Sequence, residues 1–474
     1  MATKDKQISS SLAKNTILLA IGNILTKGLL FVMIPFFSRW LSTEDYGTFD
    51  LFCTYVSLLI PLITLSTGEA MFRFSIQGDS TNEKIKTYIS NCFYLIIINC
   101  SFLVLFLILI RFIFDWKLAI PFLLLFLGEL FNSFLQSFLR SIKKLNIYSF
   151  CNAFSVVLIS ILVTFFVKYM NLGLSGIIYG YAFGYLLGDI FIALFTKLYN
   201  YIDFKKLSTN QIKELIKYSY PLIPNSISWW IVNVSDRFII KVVMGVAYNG
   251  IYAIANKIPA ICTAVFSVFN ISWQQDASEY LEKKDFENAK KYFNHIYNSM
   301  IKILISICII ILSTNFILFK YIFDAKYYSA YLYSPILITS IIFMLLSQFY
   351  GGIQISLKNP KANGITTVIG AFCNIMINVL TIKWFGLYAA AISTLLSYLI
   401  VDALRKYKLK EIVSFKINKS NYILIAVYLY FLISSYFIEC LSLSIVNLFA
   451  ASIIFIVINK DYIIKIINKV LRRF

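Results

Sequence analysis

The chain has 474 residues, of which 59% are hydrophobic and only 14% are charged. A soluble globular domain carries about 25% charged residues, and a mean hydropathy of +0.77 leaves too little polar surface to cover a water-soluble fold. The composition excludes an ordinary soluble protein and predicts an integral membrane protein. A net charge of +20 would favour nucleic-acid binding in a soluble chain. Here the surplus lysines and arginines stand in short runs between apolar stretches, so no nucleic-acid partner is expected.

Apolar stretches of about 17 to 25 residues are long enough to cross a bilayer as helices. We identify fourteen of them and predict an all-α fold with about fourteen transmembrane helices. They cover residues 12–37, 47–65, 87–109, 118–139, 148–167, 173–196, 218–240, 246–272, 293–319, 331–357, 362–382, 386–404, 422–438 and 441–458. Two longer basic connectors, Lys197 to Lys217 and Gln274 to Lys291, are expected on the inner side.

The lysines and arginines alternate between the predicted loops. One set of loops holds 31 of them and the other set nine, while Lys27, Lys257 and Lys302 fall inside predicted helices. Because basic residues are enriched in cytoplasmic loops, this distribution predicts a multi-pass plasma-membrane protein with both termini in the cytoplasm.

Two pairs of short segments indicate an internal repeat. Tyr46-Gly47-Thr48-Phe49 corresponds to Asn249-Gly250-Ile251-Tyr252, and Gly173-Leu174-Ser175-Gly176 corresponds to Gly386-Leu387-Tyr388-Ala389. Six helices per repeat give two bundles of like orientation, which enclose a central cavity in transporters built this way. The predicted organisation is a six-helix bundle over 1–196, a cytoplasmic connector over 197–217, a second six-helix bundle over 218–404, and two extra helices with a basic tail over 405–474.

Two lysines inside predicted helices are candidates for ligand binding. A charged side chain at the bilayer centre costs roughly 2.5 to 3.5 kcal/mol on insertion scales. Lys27 lies mid-way along the first helix with Asn23 one turn earlier, and Lys257 lies mid-way along the eighth. Neither has a carboxylate within one turn of its own helix, so we predict that both face a cationic, hydrated cavity suited to an anionic, sugar-bearing ligand. The alternative is that carboxylates of neighbouring helices pair with them and lock the helices together.

Further candidates for substrate binding lie on the seventh helix and at the end of the second. Asn225, Trp229, Asn233 and Arg237 recur every four residues and form a polar stripe, with Asp236 beside it. Asp236 and Arg237 would otherwise anchor a helix end at the membrane interface. Glu69 and Arg73 are four residues apart and are expected to pair with each other.

Two acidic residues inside predicted helices are candidates for ion coupling. Glu129 lies in the fourth helix, with Asn132 nearby, and Asp189 lies in the sixth. The alternative for Glu129 is a protonated, hydrogen-bonded carboxyl with no role in coupling.

Motifs for enzymatic chemistry are absent from the sequence. It has no P-loop, no Rossmann glycine pattern and no HExxH or GxSxG motif, and its eight cysteines show no CxxC spacing. We therefore expect no catalytic residues, no cofactor and no metal, and we expect transport to be driven by an ion gradient, the membrane potential or product removal.

Several short segments resemble one family of membrane transporters. They are Lys14-Asn15-Thr16, Pro35, Arg39-Trp40-Leu41 and Tyr46-Gly47; Gly68-Glu69-Ala70 with Arg73-Phe74; and Pro221-Leu222-Ile223-Pro224 followed by Asp236-Arg237-Phe238-Ile239-Ile240. These segments resemble polysaccharide flippases, the O-antigen and capsule repeat-unit transporters of the multidrug, oligosaccharidyl-lipid and polysaccharide exporter superfamily.

The resemblance implies a function and a set of partners. It implies translocation of an undecaprenyl-diphosphate-linked oligosaccharide from the cytoplasmic to the outer face by alternating access. It also implies contact with membrane lipid, with a glycan polymerase and with a chain-length regulator. The predicted cavity suits this substrate, because a diphosphate binds Lys and Arg while sugar hydroxyls bind amides and aromatic rings.

Two rival functions stay open. A cation-coupled multidrug-type antiporter would share the architecture, although it would more naturally present acidic residues to a cationic drug. A membrane glycan polymerase would be expected to carry a sizeable outer loop, and the predicted outer loops are short.

Overall fold

A computed structural model describes residues 26–76, 82–282, 286–357 and 360–471, and every long element within these ranges is a helix. The first helix, α1, is described over 26–40. The others are α2 Thr43–Ile63, α3 Thr67–Ile76, α4 Asn82–Phe114, α5 Ala119–Ser141, α6 Leu145–Val163, α7 Gly173–Phe195, α8 Thr209–Ser219, α9 Leu222–Val243, α10 Val246–Glu282, α11 Phe286–Ile317, α12 Ser334–Ser356, α13 Pro360–Phe385, α14 Leu387–Lys408, α15 Lys419–Phe437 and α16 Leu441–Leu471. The predicted all-α membrane fold is confirmed.

Eleven of the described helices are long and apolar enough to cross a bilayer. They correspond to the second to sixth and the ninth to fourteenth predicted spans, so the expected number of about fourteen is consistent with the structure. The seventh and eighth predicted spans form α9 and α10, which are not among the eleven found in the described residues. The first predicted span lies largely outside the described residues.

The predicted connector from Gln274 to Lys291 is mostly helical. Helix α10 continues to Glu282 and α11 begins at Phe286, while residues 283–285 lie outside the described part of the chain. At 37 and 32 residues these helices are longer than the ~20 residues needed to cross a bilayer. The polar sequence after the eighth span therefore extends a membrane helix instead of forming a separate loop.

The chain divides into two compact units, Met1–Val234 (unit 1) and Ser235–Phe474 (unit 2), and the division falls within α9. In unit 1 the core forms where α5, α6 and α7 pack together and where α2 and α3 pack on α5. In unit 2, α12, α13 and α14 pack together, α10 packs on α12, and the last two helices, α15 and α16, pack on α11.

The internal repeat is visible in the packing of each unit taken separately. Helix α7 begins at Gly173 (φ +51°) and α14 follows Gly386 (φ +55°), so both aligned glycines have a left-handed backbone conformation. Only glycine adopts this conformation without strain, which explains why this residue recurs at the start of both helices.

In each unit one asparagine of a long helix binds the chain that follows the last bundle helix, which is the connector after α7 in unit 1 and the segment after α14 in unit 2. In unit 1 the side chain of Asn91 on α4 accepts a hydrogen bond from the Ser208 backbone N–H (3.0 Å). In unit 2 the side chain of Asn298 on α11 accepts one from the Asn418 backbone N–H (2.9 Å). The two asparagines thus fix the chain after α7 and after α14 in the same way, and we call them the connector clamps.

Close packing of α6 on α7 depends on glycine. A Cβ atom added at Gly184 would lie 2.8 Å from the Ile159 Cα and 2.9 Å from its backbone nitrogen, and one added at Gly180 would lie 2.7 Å from the same two atoms of Val163. Backbone atoms cannot rotate away as a side chain can, so the two helices could not approach this closely with larger residues.

Substituting Gly184→Ala should therefore destabilise the protein. Overpacking of this kind costs about 1–3 kcal/mol, so thermal unfolding of the purified protein in detergent, followed by intrinsic fluorescence, should occur at a lower temperature. Gly364→Ala in α13 is the matched control, because nothing lies within 4 Å of an added Cβ there. Equal unfolding temperatures for the two variants would contradict the close-packing argument.

Candidate functional site

A chain of buried polar side chains crosses the interior of unit 1. Asn132 Nδ2 on α5 donates to Asp189 Oδ1 on α7 (2.8 Å), and Gln136 Nε2, one turn along α5, donates to Asn132 Oδ1 (2.6 Å). Gln136 also donates to Asn152 Oδ1 on α6 (3.1 Å). Spacing of four residues puts Asn132 and Gln136 on the same face of α5, so the network links three helices.

The Asp189 carboxylate is the end of this network. The residue is fully buried, and its second oxygen, Oδ2, has no hydrogen-bond partner within the described residues. A buried charge without compensation is costly, so this oxygen is a place where a proton or a small cation would be held. The arrangement suits Asp189 to the predicted role in ion coupling.

Glu129 lies one turn before Asn132, half-buried at the middle of α5. Tyr181 and Tyr185 of α7 lie close enough to interact with it electrostatically. Asn132, the expected neighbour of interest, hydrogen-bonds to Asp189 instead. The two predicted coupling residues therefore belong to one polar region on α5 and α7.

A second buried network lies in unit 2 around Asp236 of α9. Its Oδ2 accepts hydrogen bonds from the Tyr252 hydroxyl on α10 (2.5 Å) and from Thr394 Oγ1 on α14 (3.0 Å). Asn374 Nδ2 on α13 donates to Thr394 Oγ1 (3.4 Å), and the Ser235 hydroxyl donates to Asn374 Oδ1 (3.2 Å). Asp236 is only 3% exposed, and the network around it joins α9, α10, α13 and α14 in the interior of the unit.

This second network also contains buried polar atoms that have no hydrogen-bond partner among the described residues. Asp236 Oδ1 and both polar side-chain atoms of Asn378, one turn after Asn374 on α13, have no partner within the described residues. Carboxylate and amide oxygens are the ligands that small hard cations bind. Unit 2 thus has the same chemical capacity as unit 1, which is to hold a proton or a small cation at a buried carboxylate.

The two candidate lysines lie one in each unit. Lys27 on α1 is exposed and forms no ion pair with any residue that the structure describes, while Asn23 lies outside the described residues. Lys257 on α10 is half-buried, and its neighbour Asn256 donates from Nδ2 to the Tyr252 backbone carbonyl (3.1 Å).

The polar stripe of the seventh predicted span is carried by α9. Trp229 and Arg237 are half-buried there, with Arg237 directly after the buried Asp236. The side chains of Asn225 and Asn233 lie outside the described part of the structure. Trp230, which follows Trp229, donates from Nε1 to the Thr54 backbone carbonyl of α2 (2.9 Å) and fixes the first part of α9 within unit 1.

The expected pairing of Glu69 with Arg73 is wrong. Glu69 Oε1 on α3 accepts a hydrogen bond from the Arg140 guanidinium on α5 (2.6 Å), and Arg73 is exposed. Helix α3 packs against α5, and Arg140 also stacks over the Phe72 ring at 4.9 Å. Glu69 therefore bonds to Arg140 of the neighbouring helix and not to Arg73 of its own helix. Because Glu69 is 51% exposed, the pair contributes about 0–1 kcal/mol at most.

Arg405 is a residue that sequence reasoning missed. The twelfth predicted span ends at residue 404, which leaves Arg405 outside it, but Arg405 lies in α14 and is only 2% exposed. Its guanidinium donates to the Ser347 backbone carbonyl (2.8 Å), Thr366 Oγ1 (3.0 Å) and Thr367 Oγ1 (3.0 Å), which joins α12, α13 and α14. The signal in the sequence was the pair Thr366 and Thr367 inside the eleventh predicted span, because two adjacent hydroxyls within a span can accept hydrogen bonds from a buried donor.

Comparisons with known proteins bear on the whole chain. The family described as "Polysaccharide biosynthesis protein" matches residues 12–273, and the family described as "MatE" matches residues 221–380. An uncharacterized membrane protein of Methanocaldococcus jannaschii is 24% identical over 287 residues. The match covers 57% of each chain, so this chain spans little more than half the length of that curated relative.

Solved structures show the same fold. The lipid II flippase MurJ in an inward closed conformation has a TM-score of 0.66 at 17% identity, covering 94% of this chain and all of that one. An inward-facing multidrug resistance MATE family transporter of the MOP superfamily has a TM-score of 0.61 at 13% identity, covering 84% and 95%. A MATE transporter of Vibrio cholerae has a TM-score of 0.59 at 13% identity, covering 85% and 98%.

The unit 1 network yields a prediction about stability. Asn132→Leu removes the donor to Asp189 and leaves a buried carboxylate unsatisfied, which should cost about 1–3 kcal/mol in thermal unfolding. Replacing both partners by apolar groups removes the unpaired acceptor, so the double variant Asn132→Leu/Asp189→Leu should unfold at a higher temperature than Asn132→Leu alone. A double variant that loses the sum of the two single losses would show that the residues act independently.

Proposed function

Because the chain belongs to the polysaccharide biosynthesis protein family, we propose that it is a flippase that moves lipid-linked polysaccharide repeat units across the plasma membrane. The substrate would be an oligosaccharide on undecaprenyl diphosphate, taken up at the cytoplasmic face and released at the outer face. Both termini would lie in the cytoplasm. A glycan polymerase and a chain-length regulator would act on the product.

One observation carries this proposal. A chain of the polysaccharide biosynthesis family consists, throughout its described residues, of membrane helices joined by short segments. A glycan-forming enzyme would need room outside the bilayer for its chemistry, whereas the described helices are joined without such a region. Moving the lipid-linked glycan is the part of polysaccharide synthesis that membrane helices alone can perform.

The organisation we propose follows the repeat. Two bundles of six helices, over residues 1–196 and 218–404, would carry out alternating access, joined by the connector 197–217, with residues 405–474 adding two helices. The fold match covers 94% of this chain for the lipid II flippase and 84% for the inward-facing MATE transporter, which agrees with this arrangement of helices.

The second candidate function is cation-coupled export of a small molecule. The match of the MatE family to residues 221–380 favours it, as do buried carboxylates in each unit, Asp189 and Asp236. The two functions differ in substrate: a flippase would move a fluorescently labelled undecaprenyl-diphosphate disaccharide in proteoliposomes, and an antiporter would move a cationic dye such as ethidium. Ethidium transport without glycolipid movement would favour the antiporter.

We predict that Lys27 and Lys257 contact the diphosphate during transport, together with polar groups at Asn23, Asn225, Trp229, Asn233 and Arg237. A charge-assisted hydrogen bond contributes about 1.5–3 kcal/mol, so Lys27→Ala and Lys257→Ala should each slow translocation of the labelled glycolipid roughly tenfold or more. Lys302→Ala, which removes a lysine from α11, is the control. Normal rates in a correctly inserted double variant would refute the role of these lysines.

We also predict that transport is coupled to an ion through Glu129 and Asp189. Glu129→Gln and Asp189→Asn keep the shape of each side chain but cannot exchange a proton or hold a cation as a carboxylate does. An imposed proton or sodium gradient should accelerate glycolipid translocation by the native protein and have no effect on these variants. Asp324→Asn, at a helix end near the surface, serves as the control. A full gradient response in both variants would exclude coupling at these residues, and Asp236→Asn would then test unit 2.

A further inference from the structure

A basic cavity of about 790 Å³ lies in unit 1 at the ends of α4, α5 and α7. Lys86, Lys143, Lys144 and Lys197 line it. These are helix ends that the distribution of lysine and arginine assigns to the cytoplasm. The volume falls within the range of roughly 300–1,000 Å³ that is usual for small-molecule sites.

The charge of this cavity is not neutralised by its own walls. Among the described residues, none of the four lysines forms an ion pair. The one carboxylate in the lining, Glu83, is hydrogen-bonded to Lys206 of the connector, and that contact raises the pKa of the Lys206 ammonium. The lining is therefore left with an excess of positive charge.

Two of the lysines occupy positions where glycine is expected. Helix α5 ends in a Schellman motif, in which the Lys143 N–H bonds to the Arg140 carbonyl (3.1 Å) and the Lys144 N–H to the Leu139 carbonyl (3.0 Å). Lys143 has φ +59°, and Lys197, which follows α7, has φ +55°. A lysine in this conformation is strained where glycine would not be. Strain of this kind is found where a side chain serves a ligand.

A buried serine hydroxyl also lines the cavity, and the connector forms a fixed part of its wall. Ser75 of α3 is 2% exposed, and its hydroxyl has no hydrogen-bond partner within the described residues, although it lines the cavity. On the opposite side the connector is held on α4, where the Ser90 hydroxyl donates to the Tyr201 carbonyl (3.2 Å) and accepts from the Asp203 N–H (2.8 Å). Tyr201 is thereby fixed in the wall.

Unit 2 also contains a cavity lined by lysines. It has a volume of about 590 Å³ and lies at the ends of α12, α13 and α14, where Lys361, Lys408 and Gln354 line it. Gln354 is 2% exposed, and neither polar atom of its side chain has a partner among the described residues. One cavity in each unit thus combines lysines with a buried polar side chain that has no hydrogen-bond partner in the described part of the chain.

We propose that the unit 1 cavity is a binding site for a phosphate anion, separate from the transport path. Lysine ammonium groups and a serine hydroxyl are donors to phosphate oxygens, and basic pockets between membrane helices on the cytoplasmic side bind lipid head groups. The phosphate could come from an anionic phospholipid or from solution. This proposal does not depend on the glycan flippase function.

The positions of Lys143 and Lys197 allow a test that does not endanger the fold. The double variant Lys143→Gly/Lys197→Gly removes two charges and relieves backbone strain, so it should unfold at the same temperature as the native protein or higher. Purified full-length protein in detergent would be titrated with fluorescent phosphatidylglycerol, with phosphatidylcholine as the neutral lipid, and with inorganic phosphate as competitor. At about 1 kcal/mol per lysine, affinity for phosphatidylglycerol should fall roughly thirtyfold.

Lys213→Ala is the matched control, because Lys213 is exposed on α8 and does not line the cavity. It should leave the affinity unchanged. Displacement of the lipid only by other anionic lipids would identify a head-group site, and displacement by millimolar inorganic phosphate would identify a site for free phosphate. Unchanged affinity in the glycine variant, or an equal loss in Lys213→Ala, would overturn the proposal.

Discussion

Burial of carboxylates away from water constrains both units of this chain. Inside a bilayer no solvent is available to hydrogen-bond a polar group, so each buried acid needs donors from neighbouring helices. Asp189 obtains one from Asn132, and Asp236 obtains two, from Tyr252 and Thr394. These bonds link α5 with α7 in unit 1, and α9 with α10 and α14 in unit 2. In each case the second carboxylate oxygen has no hydrogen-bond partner among the described residues, so the acids that link the helices also keep one acceptor unsatisfied.

The two units share structural features more than they share residue identities. Left-handed glycines begin α7 and α14, and the connector clamps Asn91 and Asn298 hold the chain after each of these helices. The buried acids differ between units: Asp189 has its counterpart in Asp402, 213 residues later, but Arg405 lies beside Asp402 and occupies the interior of unit 2. The two units thus share a scaffold and differ in the polar groups that they bury.

Most of the fold could be predicted from the sequence, because hydropathy alone specifies a membrane helix. The spans from the second to the sixth and from the ninth to the fourteenth are present at nearly the predicted places. The predictions were wrong where a side chain bonds to a residue of a different helix. Glu69 pairs with Arg140 and not with Arg73, and Arg405 is buried where a loop was expected. A pattern along one helix cannot show which neighbour packs on it, so Asn132 was recognised as polar but its bond to Asp189 was not.

The connector clamps have a consequence for how the sequence of this protein can change. In each unit, asparagine side chains bond to backbone groups of the chain that follows α7 or α14: Asn91 to Ser208 in unit 1, and Asn294 and Asn298 to residues 414–418 in unit 2. Most amino acids present the same amide and carbonyl groups, so the side chains at Ser208, Ser414, Lys416 and Asn418 can change while these backbone bonds are kept. Substitutions at these four positions can therefore change the chemistry of this surface without loss of the bonds that hold the chain on α4 and α11.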